Sequence, residues 1–410
     1  MELNFTLPYQ QAINSWEIIL WTGIVVVTYT YIGYGVLLFF MVKMKQWLRP
    51  EAKFQFTREN LPTVTFIVAA YNEEDYIEDK ILNSLQVDYP KDKIEFWFVT
   101  DGSNDKTVDI VQQYSGQVTS WHSDERAGKI AAMHRAMQMV KSDIAIFSDA
   151  NAMLNIEAVM EIVQCYANPK VGAVAGEKGI AMAAEEQASG AGEGIYWKYE
   201  SQLKKWDYQL YSVVGAAGEL FSVRTSLYEP VPSDTLLDDF MISLKIAAKG
   251  YRVAYAPEAK AMEQASLNVE EEMKRKVRIS AGGLQSIYRL GGLLNIFKHG
   301  LLSFQYISHR VLRWTLAPLA LPLILVSNFF LILHEHEIIY GVLFNAQLAF
   351  YFLAFLGKIL ENKKIKIKGF FVPYYFVMMN LSVYMGVARL LKGKQSVKWD
   401  KAVRASSTTP

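Results

Sequence analysis

Four uncharged apolar stretches, Ile18–Val42, Trp314–Leu333, Ile338–Gly357 and Phe370–Ala388, flank a middle region, residues 43–313, that contains none. Each approaches or exceeds the ~20 apolar residues that cross a bilayer core. The first is too long for a signal-peptide core and has no small-residue cleavage site, so it reads as a retained anchor. The chain therefore divides into membrane parts and a soluble insert. Its 410 residues suffice for one globular domain of about 250 residues plus that extra structure. With 51% hydrophobic and 13% aromatic residues, disorder is excluded. The single cysteine, Cys165, excludes a disulfide framework; it falls in a helical pattern and reads as an inert small residue.

The net charge of +1 conceals a division. Residues 51–300 carry 26 basic and 35 acidic groups, whereas residues 301–410 carry 13 and 4. The acidic middle excludes nucleic acid as a partner, since that needs a basic face. The basic, apolar last third suits a surface of anionic lipid. Lys43, Lys45 and Arg49 place the end of the first stretch in the cytoplasm, with Met1 outside. Arg310 and Arg313 should then precede the second crossing on the cytoplasmic side, and Lys363, Lys364, Lys366 and Lys368 should follow the third stretch there. A final crossing would send Lys392, Lys394, Lys398, Lys401 and Arg404 to the far side, against the charge rule. Either the tail breaks that rule or one segment does not cross. Pro318 and Pro322 make the second stretch the candidate for a bent or re-entrant helix.

From about Leu61 to Met262 the pattern is α/β. Val64–Ala70 is a β-branched apolar run broken by Tyr71-Asn72-Glu73-Glu74, with a helical pattern following to Leu85. Ile94–Thr100 ends in Asp101-Gly102-Ser103, and Ile144–Phe147 in Ser148-Asp149-Ala150-Asn151. Helices are expected over Val108–Tyr114 and Lys129–Val140, and a short strand over Gln117–Trp121. Strand, polar turn and helix in repetition specify a parallel sheet with crossover helices, whose ligand crevice lies at the C-terminal strand ends.

Acidic turns sit at three such ends: Glu73/Glu74, Asp101 and Asp149. Asp238-Asp239 adds a fourth pair just before a helix near Phe240. Gathered carboxylates repel unless positive charge lies between them, and a divalent metal with a phosphorylated ligand resolves this. A nucleoside diphosphate meets that requirement. Each turn alone is ordinary, and Asp238-Asp239 also suits a helix N-terminus. Gly190-Ala-Gly192-Glu-Gly194 lacks the spacing of a dinucleotide fingerprint, and His334-Glu-His336-Glu that of a metalloprotease helix.

The order is more informative than any single turn. Ala70–Glu74, Thr100–Thr107, Gly128-Lys129, Ser148–Asn151, Gly215-Ala-Ala-Gly218 and Leu237–Phe240 together resemble the family 2 inverting glycosyltransferases, with the likeness running from about Pro62 to Arg289. The flanking membrane segments look like the processive branch, which includes cellulose, chitin, hyaluronan and poly-N-acetylglucosamine synthases. The resemblance implies a nucleotide-sugar-binding GT-A-type fold: a mixed, mostly parallel sheet with flanking helices, inserted between N-terminal and C-terminal transmembrane helices. The division it implies is residues 1–50 as membrane anchor, 51–265 as cytoplasmic glycosyltransferase domain, 266–310 as amphipathic interface helices, and 311–410 as transmembrane helices with a basic tail.

By the same resemblance Asn72, Glu73 and Asp101 hold the uridine of a UDP-sugar, with Lys129 near the diphosphate. Asp149 matches the first acid of the family's metal-binding Asp-x-Asp, while Asn151 replaces the second; the metal is Mg²⁺ or Mn²⁺. Asp239, after Asp238, matches the catalytic base. Arg275-Lys-Val-Arg278-Ile279 occupies the place of Gln-x-x-Arg-Trp, so Arg278 matches the arginine and Ile279 removes the Trp ring that meets the acceptor. Lys274–Arg278 reads equally well as a basic helix on lipid. Tyr196, Trp197, Tyr199 and Trp206 suit either acceptor stacking or packing. The acceptor is a growing glycan or a lipid-linked molecule. Membrane lipids are partners, an accessory export subunit or a second copy is compatible, and the cell (plasma or inner) membrane is the expected location. A catalytically inactive membrane scaffold or receptor is the competing class.

Overall fold

The computed structural model describes residues 6–48, 54–181, 191–264, 269–335, 337–362 and 367–393. Arg49, Gly190, His336, Lys363, Lys364, Lys366, Lys394, Lys398, Lys401 and Arg404 lie outside the described residues.

Along the chain the elements are α1 (Thr6–Thr28), α2 (Tyr34–Leu48), β1 (Val64–Ala70), α3 (Ile77–Leu85), β2 (Ile94–Asp101), α4 (Thr107–Gln113), β3 (Thr119–Ser123), α5 (Lys129–Met137), β4 (Ile144–Asp149), β5 (Met153–Leu154), α6 (Ala158–Cys165), β6 (Val171–Ala181), α7 (Ala191–Leu210), β7 (Leu220–Arg224), α8 (Asp238–Ala248), β8 (Arg252–Gln264) and α9 (Val269–Arg289). Three short helices follow, α10 (Ile296–His299), α11 (Leu301–Tyr306) and α12 (Leu312–Trp314). The last three are α13 (Leu316–His334), α14 (Ile338–Asn362) and α15 (Lys368–Leu391).

The strands form one sheet in the order β3-β2-β1-β4-β7-β6-β8-β5. β3, β2, β1 and β4 run parallel, as do β6 and β8; β7 is antiparallel to both its neighbours. Residues of β1 alternate between two cores. Phe66 and Val68 pack with Ile77, Ile81, Phe98 and Ile146, while Ile67 packs with Ile130, Met133, Phe147 and Phe221 on the other face. Helices cover both faces, so the strands read as nearly continuous apolar runs. The register then places the chemistry: Ala70 lies opposite Thr100, and Ala69 opposite Asp149. Three strands therefore end together, and their polar turns share one edge.

The loop before β7 depends on Gly215, whose φ is +93°. A Cβ there would lie 2.0 Å from the Phe240 ring, on the helix that carries Asp239. Gly215→Ala should therefore destabilise the fold by about 1–3 kcal/mol from backbone strain alone, with the Phe240 overlap added. A lowered Tm in detergent checks this.

Among the described residues, four helices are long and apolar enough to cross a membrane, at Ile13–Leu48, Leu316–His334, Ile338–Glu361 and Gly369–Leu391. The first runs from α1 into α2 through a π-turn at Tyr29–Gly33. Ile18, Val25, Phe40, Val342, Phe352 and Phe355 point outward, as lipid-facing residues do. The second stretch differs from expectation in two respects. Trp314 is excluded from the span, because Thr315 breaks the helix at φ −130°, ψ −85°. α13 then runs unbroken through Pro322 rather than turning back. Pro318 sits in its first turn, where a missing N–H costs no intrahelical bond.

Arg310 and Arg313 are held in ion pairs within the protein, each 2.8 Å from Glu200 of α7. Beside them His309 Nδ1 contacts Asp207 at 2.6 Å, and Tyr34 of the N-terminal helix donates to the same Asp207. These buried contacts tie the anchor, α7 and the segment before α13 into one unit.

Candidate active site

At the first two strand ends the turns brace one another. Asn72 adopts a left-handed conformation, φ +54°, which Asn tolerates better than most residues. Its Nδ2 donates to Asn104 Oδ1 at 2.7 Å, and Asn104 N–H donates back to Asn72 Oδ1 at 2.9 Å. The N–H of buried Glu73 donates to Thr107 Oγ1 at 2.8 Å. Asp101 is buried and accepts from the N–H groups of Ala127 (2.9 Å) and Gly128 (2.5 Å), and from Arg135 (2.8 Å). In this structure its carboxylate holds the loop leading to Lys129. On that loop the Arg126 guanidinium lies 3.8 Å over the Tyr71 ring, joining the loop to the first turn.

Lys129, at the start of α5, is the hub. Its Nζ donates to Asp149 Oδ1 at 2.5 Å. Burial alone would lower its pKa, but the nearby Asp149, Asp238 and Asp239 outweigh that and raise it. Gly218 borders this group: a Cβ there would lie in ordinary contact, 3.5 Å from Asp239 Oδ2 and 3.6 Å from Lys129 Nζ. Burial raises the Asp149 carboxyl, Lys129 opposes this, and Glu263 adds to it. Burial, reinforced by the adjacent Asp238, pushes Asp239 up to about 8.

Arg278, half-buried on α9, faces this group. Burial and then the like charge of Arg275 lower its pKa, while Asp149, Asp238 and Asp239 draw it the other way. Gln285 accepts from Leu236 N–H at 3.0 Å and Arg289 donates to Asp234 at 2.6 Å, fixing α9 against the loop that precedes Asp238. Its other side packs on α15, where Ser280 Oγ and Ser382 Oγ are 3.1 Å apart. The neighbouring cations of the run are paired within the protein as well. Arg275 donates to Glu219 at 3.0 Å, and buried Lys276 lies 3.3 Å from Glu272 and 5.2 Å over the Trp197 ring. Lys274 alone of the four is solvent-exposed, with its ammonium on Glu271 at 2.7 Å.

Tyr199 donates to Tyr31 O at 3.0 Å and Trp206 stands edge-on to Phe39, so both rings pack on the N-terminal helix. The Tyr196 side chain lies outside the described residues.

A buried ion cluster that the motifs do not reveal adjoins Asp149. Lys178 bridges Glu219 and Glu263, the latter at 2.5 Å, and Asn151 Nδ2 donates to Glu263 at 3.1 Å. Fully buried Lys80 donates to Ser148 at 2.8 Å and to Ala152 O, bracing both ends of the Asp149 turn; burial lowers it to about 7. A signal was present in each case. Lys178 interrupts an apolar strand, and Lys80 sits on the apolar face that Ile77, Ile81 and Ser84 define at helical spacing.

Among the described residues no three acidic, His or Cys side chains form a ready-made metal cage. Oxygen donors are nevertheless at hand in Asp149 and in Asn151. Asn151 is 5% exposed and its Oδ1 has no hydrogen-bond partner among the described residues. A hard divalent cation needs only one or two such protein ligands when phosphates complete its shell.

Residues 65–229, which carry the braced turns, Lys129 and Asp149, match the Glycosyl transferase family 2 model. They form a family 2 glycosyltransferase domain. Over 280 residues the chain is 26% identical to the poly-β-1,6-N-acetyl-D-glucosamine synthase of Staphylococcus aureus, covering 62% of this chain and 66% of that protein, just under two thirds of its length. Over 170 residues it is 29% identical to the β-monoglucosyldiacylglycerol synthase of Trichormus variabilis, covering 39% of this chain and 34% of that one. Among solved structures, a mannosyltransferase from Pyrobaculum calidifontis, in complex with GDP-Man and Mn²⁺, superposes with a TM-score of 0.66 at 22% identity. The superposition covers 91% of this chain and 99% of the mannosyltransferase, so the two share a fold that extends over the α/β domain and the long apolar helices.

Proposed function

We propose that this chain is a membrane-embedded inverting glycosyltransferase that moves a sugar from a UDP-sugar to a growing β-linked glycan. The observation that carries the reading is the convergence of Lys129, Asp149, Asp238 and Asp239 at one sheet edge, faced by Arg278. Residues 1–50 would be the anchor, 51–265 the cytoplasmic catalytic domain, 266–310 the interface helices and 311–410 the remaining membrane helices. Lys43 and Lys45 favour the cytoplasmic side.

With Asp239 in its working, deprotonated form, three carboxylates face two cations, although the ligand there would be an anionic diphosphate. Mg²⁺ or Mn²⁺, when bound, supplies the missing positive charge there. Asp149 and the buried Asn151 Oδ1 are the residues that would hold it. Asn72, Glu73 and the braced turns around Asp101 would receive the nucleoside. Asp239 would take the proton of the acceptor hydroxyl as that oxygen attacks the anomeric carbon from the face opposite the nucleotide. A pKa near 8 strengthens Asp239 as a base compared with an ordinary carboxylate. Lys129 and Arg278 would stabilise the charge that builds on the departing diphosphate.

The raised pKa has a sign. The base works deprotonated, so kcat/KM should climb about tenfold per pH unit below about 8 and level off above it. An ordinary aspartate would give a flat profile from pH 6 to 9. Asp238→Asn removes the like charge and should move the limb to lower pH. Initial rates at saturating Mn²⁺ with one donor check both.

A second reading, transfer of single sugars to a polyprenyl phosphate or another lipid, is favoured by Ile279, which removes an acceptor-facing ring, and by the likeness to the diacylglycerol-glucosylating enzyme. Detergent-purified protein should be incubated with UDP-sugars, GDP-Man and Mg²⁺ or Mn²⁺, reading nucleotide release and product mass. A long glycan supports the first reading and a one-sugar lipid the second. No release with any donor and acceptor overturns both in favour of a scaffold.

A further inference from the structure

Asn151 departs from the acid that the family resemblance leads one to expect, and Glu263 accounts for the departure. β5 runs antiparallel to β8 with Met153 opposite Met262, which returns residue 263 to the side of the Asp149–Asn151 turn. There Glu263 Oε1 accepts from Asn151 Nδ2 at 3.1 Å, while Oε2 is held by Lys178 at 2.5 Å. The two ends of an amide are chemically unlike, so fixing the donor end on a carboxylate leaves the oxygen as the open acceptor. That oxygen is buried and has no partner among the described residues.

We propose that Glu263 is a positioning residue: it locks the Asn151 amide so that Oδ1, rather than Nδ2, is presented to the divalent cation that Asp149 helps to hold. The inference rests on the metal reading above. It explains Asn151 and Glu263 together. An aspartate at 151 would present an oxygen in either orientation and need no lock, but beside Glu263 it would place two carboxylates within hydrogen-bond reach. A partner outside the coordination shell that orients a ligand commonly governs metal affinity by 10–100-fold.

Because a merely structural Glu263 would matter equally whatever stands at 151, a double-mutant cycle separates the two roles. Mn²⁺ is titrated into the detergent-purified full chain with UDP, and in parallel with GDP, and free Mn²⁺ is read by electron paramagnetic resonance. In the Asn151 background, Glu263→Leu should weaken Mn²⁺ binding roughly tenfold or more. In the Asn151→Asp background, Glu263→Leu should leave binding unchanged or tighten it, since repulsion is relieved and no lock is needed. Equal weakening by Glu263→Leu in both backgrounds overturns the proposal. Wild-type protein that binds no Mn²⁺ with either nucleotide overturns the metal reading itself and this inference with it, a distinct outcome.

Discussion

Asp239→Asn should abolish most turnover, by about 10²–10⁴-fold, the range that a positioned general base contributes. The substitution keeps the shape of the side chain and removes its basicity, and the segment around it is packed into the core. Asp239 lies in the first turn of α8, whose Phe240, Met241 and Ile242 are buried in the core. Ser243 Oγ, one turn on, donates to Asp239 O at 2.7 Å. Nucleotide binding should survive, because the contacts that brace the turns at Asn72 and Asp101 are made by Asn104, Ala127, Gly128 and Arg135 rather than by Asp239. Removing a negative charge beside Lys129 should if anything favour an anionic diphosphate. Initial rates and nucleotide affinity measured on the same preparation test the assignment. Turnover within threefold of wild type would remove Asp239 as the base, and lost nucleotide affinity would make it a binding residue.

The sheet edge was legible because parallel strands buried on both faces announce themselves as short apolar runs, each stopped by a polar turn. Val64–Ala70 forms as read, and Ile94–Thr100 and Ile144–Phe147 extend only to include Asp101 and Asp149. The antiparallel β7, wedged between β4 and β6, left no such mark, since nothing local in Leu220–Arg224 sets strand direction. The ion cluster was hidden for a related reason. Lys178 finds Glu219 and Glu263 across 41 and 85 residues of chain, and only tertiary pairing reveals which charges share a pocket. Residue identity also does not show which contacts a side chain makes within the protein. Asp101 reads as a ligand contact, yet its oxygens hold Ala127, Gly128 and Arg135 in place. The basic run on α9 reads equally well for a diphosphate and for lipid, and in the structure three of its four cations turn toward the protein. A linear sequence shows their spacing but not the α15 helix that covers them.

That inward turn makes the run a sharp test. Arg278→Ala should reduce kcat roughly tenfold or more while changing donor affinity less. Negative charge grows on the diphosphate as the anomeric bond breaks, so a fixed cation there interacts more strongly with the transition state than with the intact donor. Arg278→Lys should recover part of the loss, keeping the charge without the guanidinium fork. Lys274→Ala is the control, four residues earlier on the same helix. Its side chain is 62% exposed and its ammonium contacts Glu270 and Glu271 on its own helix, so its loss should leave turnover within about twofold. All three variants should be compared in one lipid at low and high salt. A role on lipid headgroups predicts small, similar losses at both positions that shrink as salt rises. A role on the diphosphate predicts a large loss at 278 alone that persists in salt, because buried charge is screened far less than exposed charge. Equal effects at 274 and 278 would return the cluster to the membrane surface and leave Lys129 as the remaining protein cation for the leaving group.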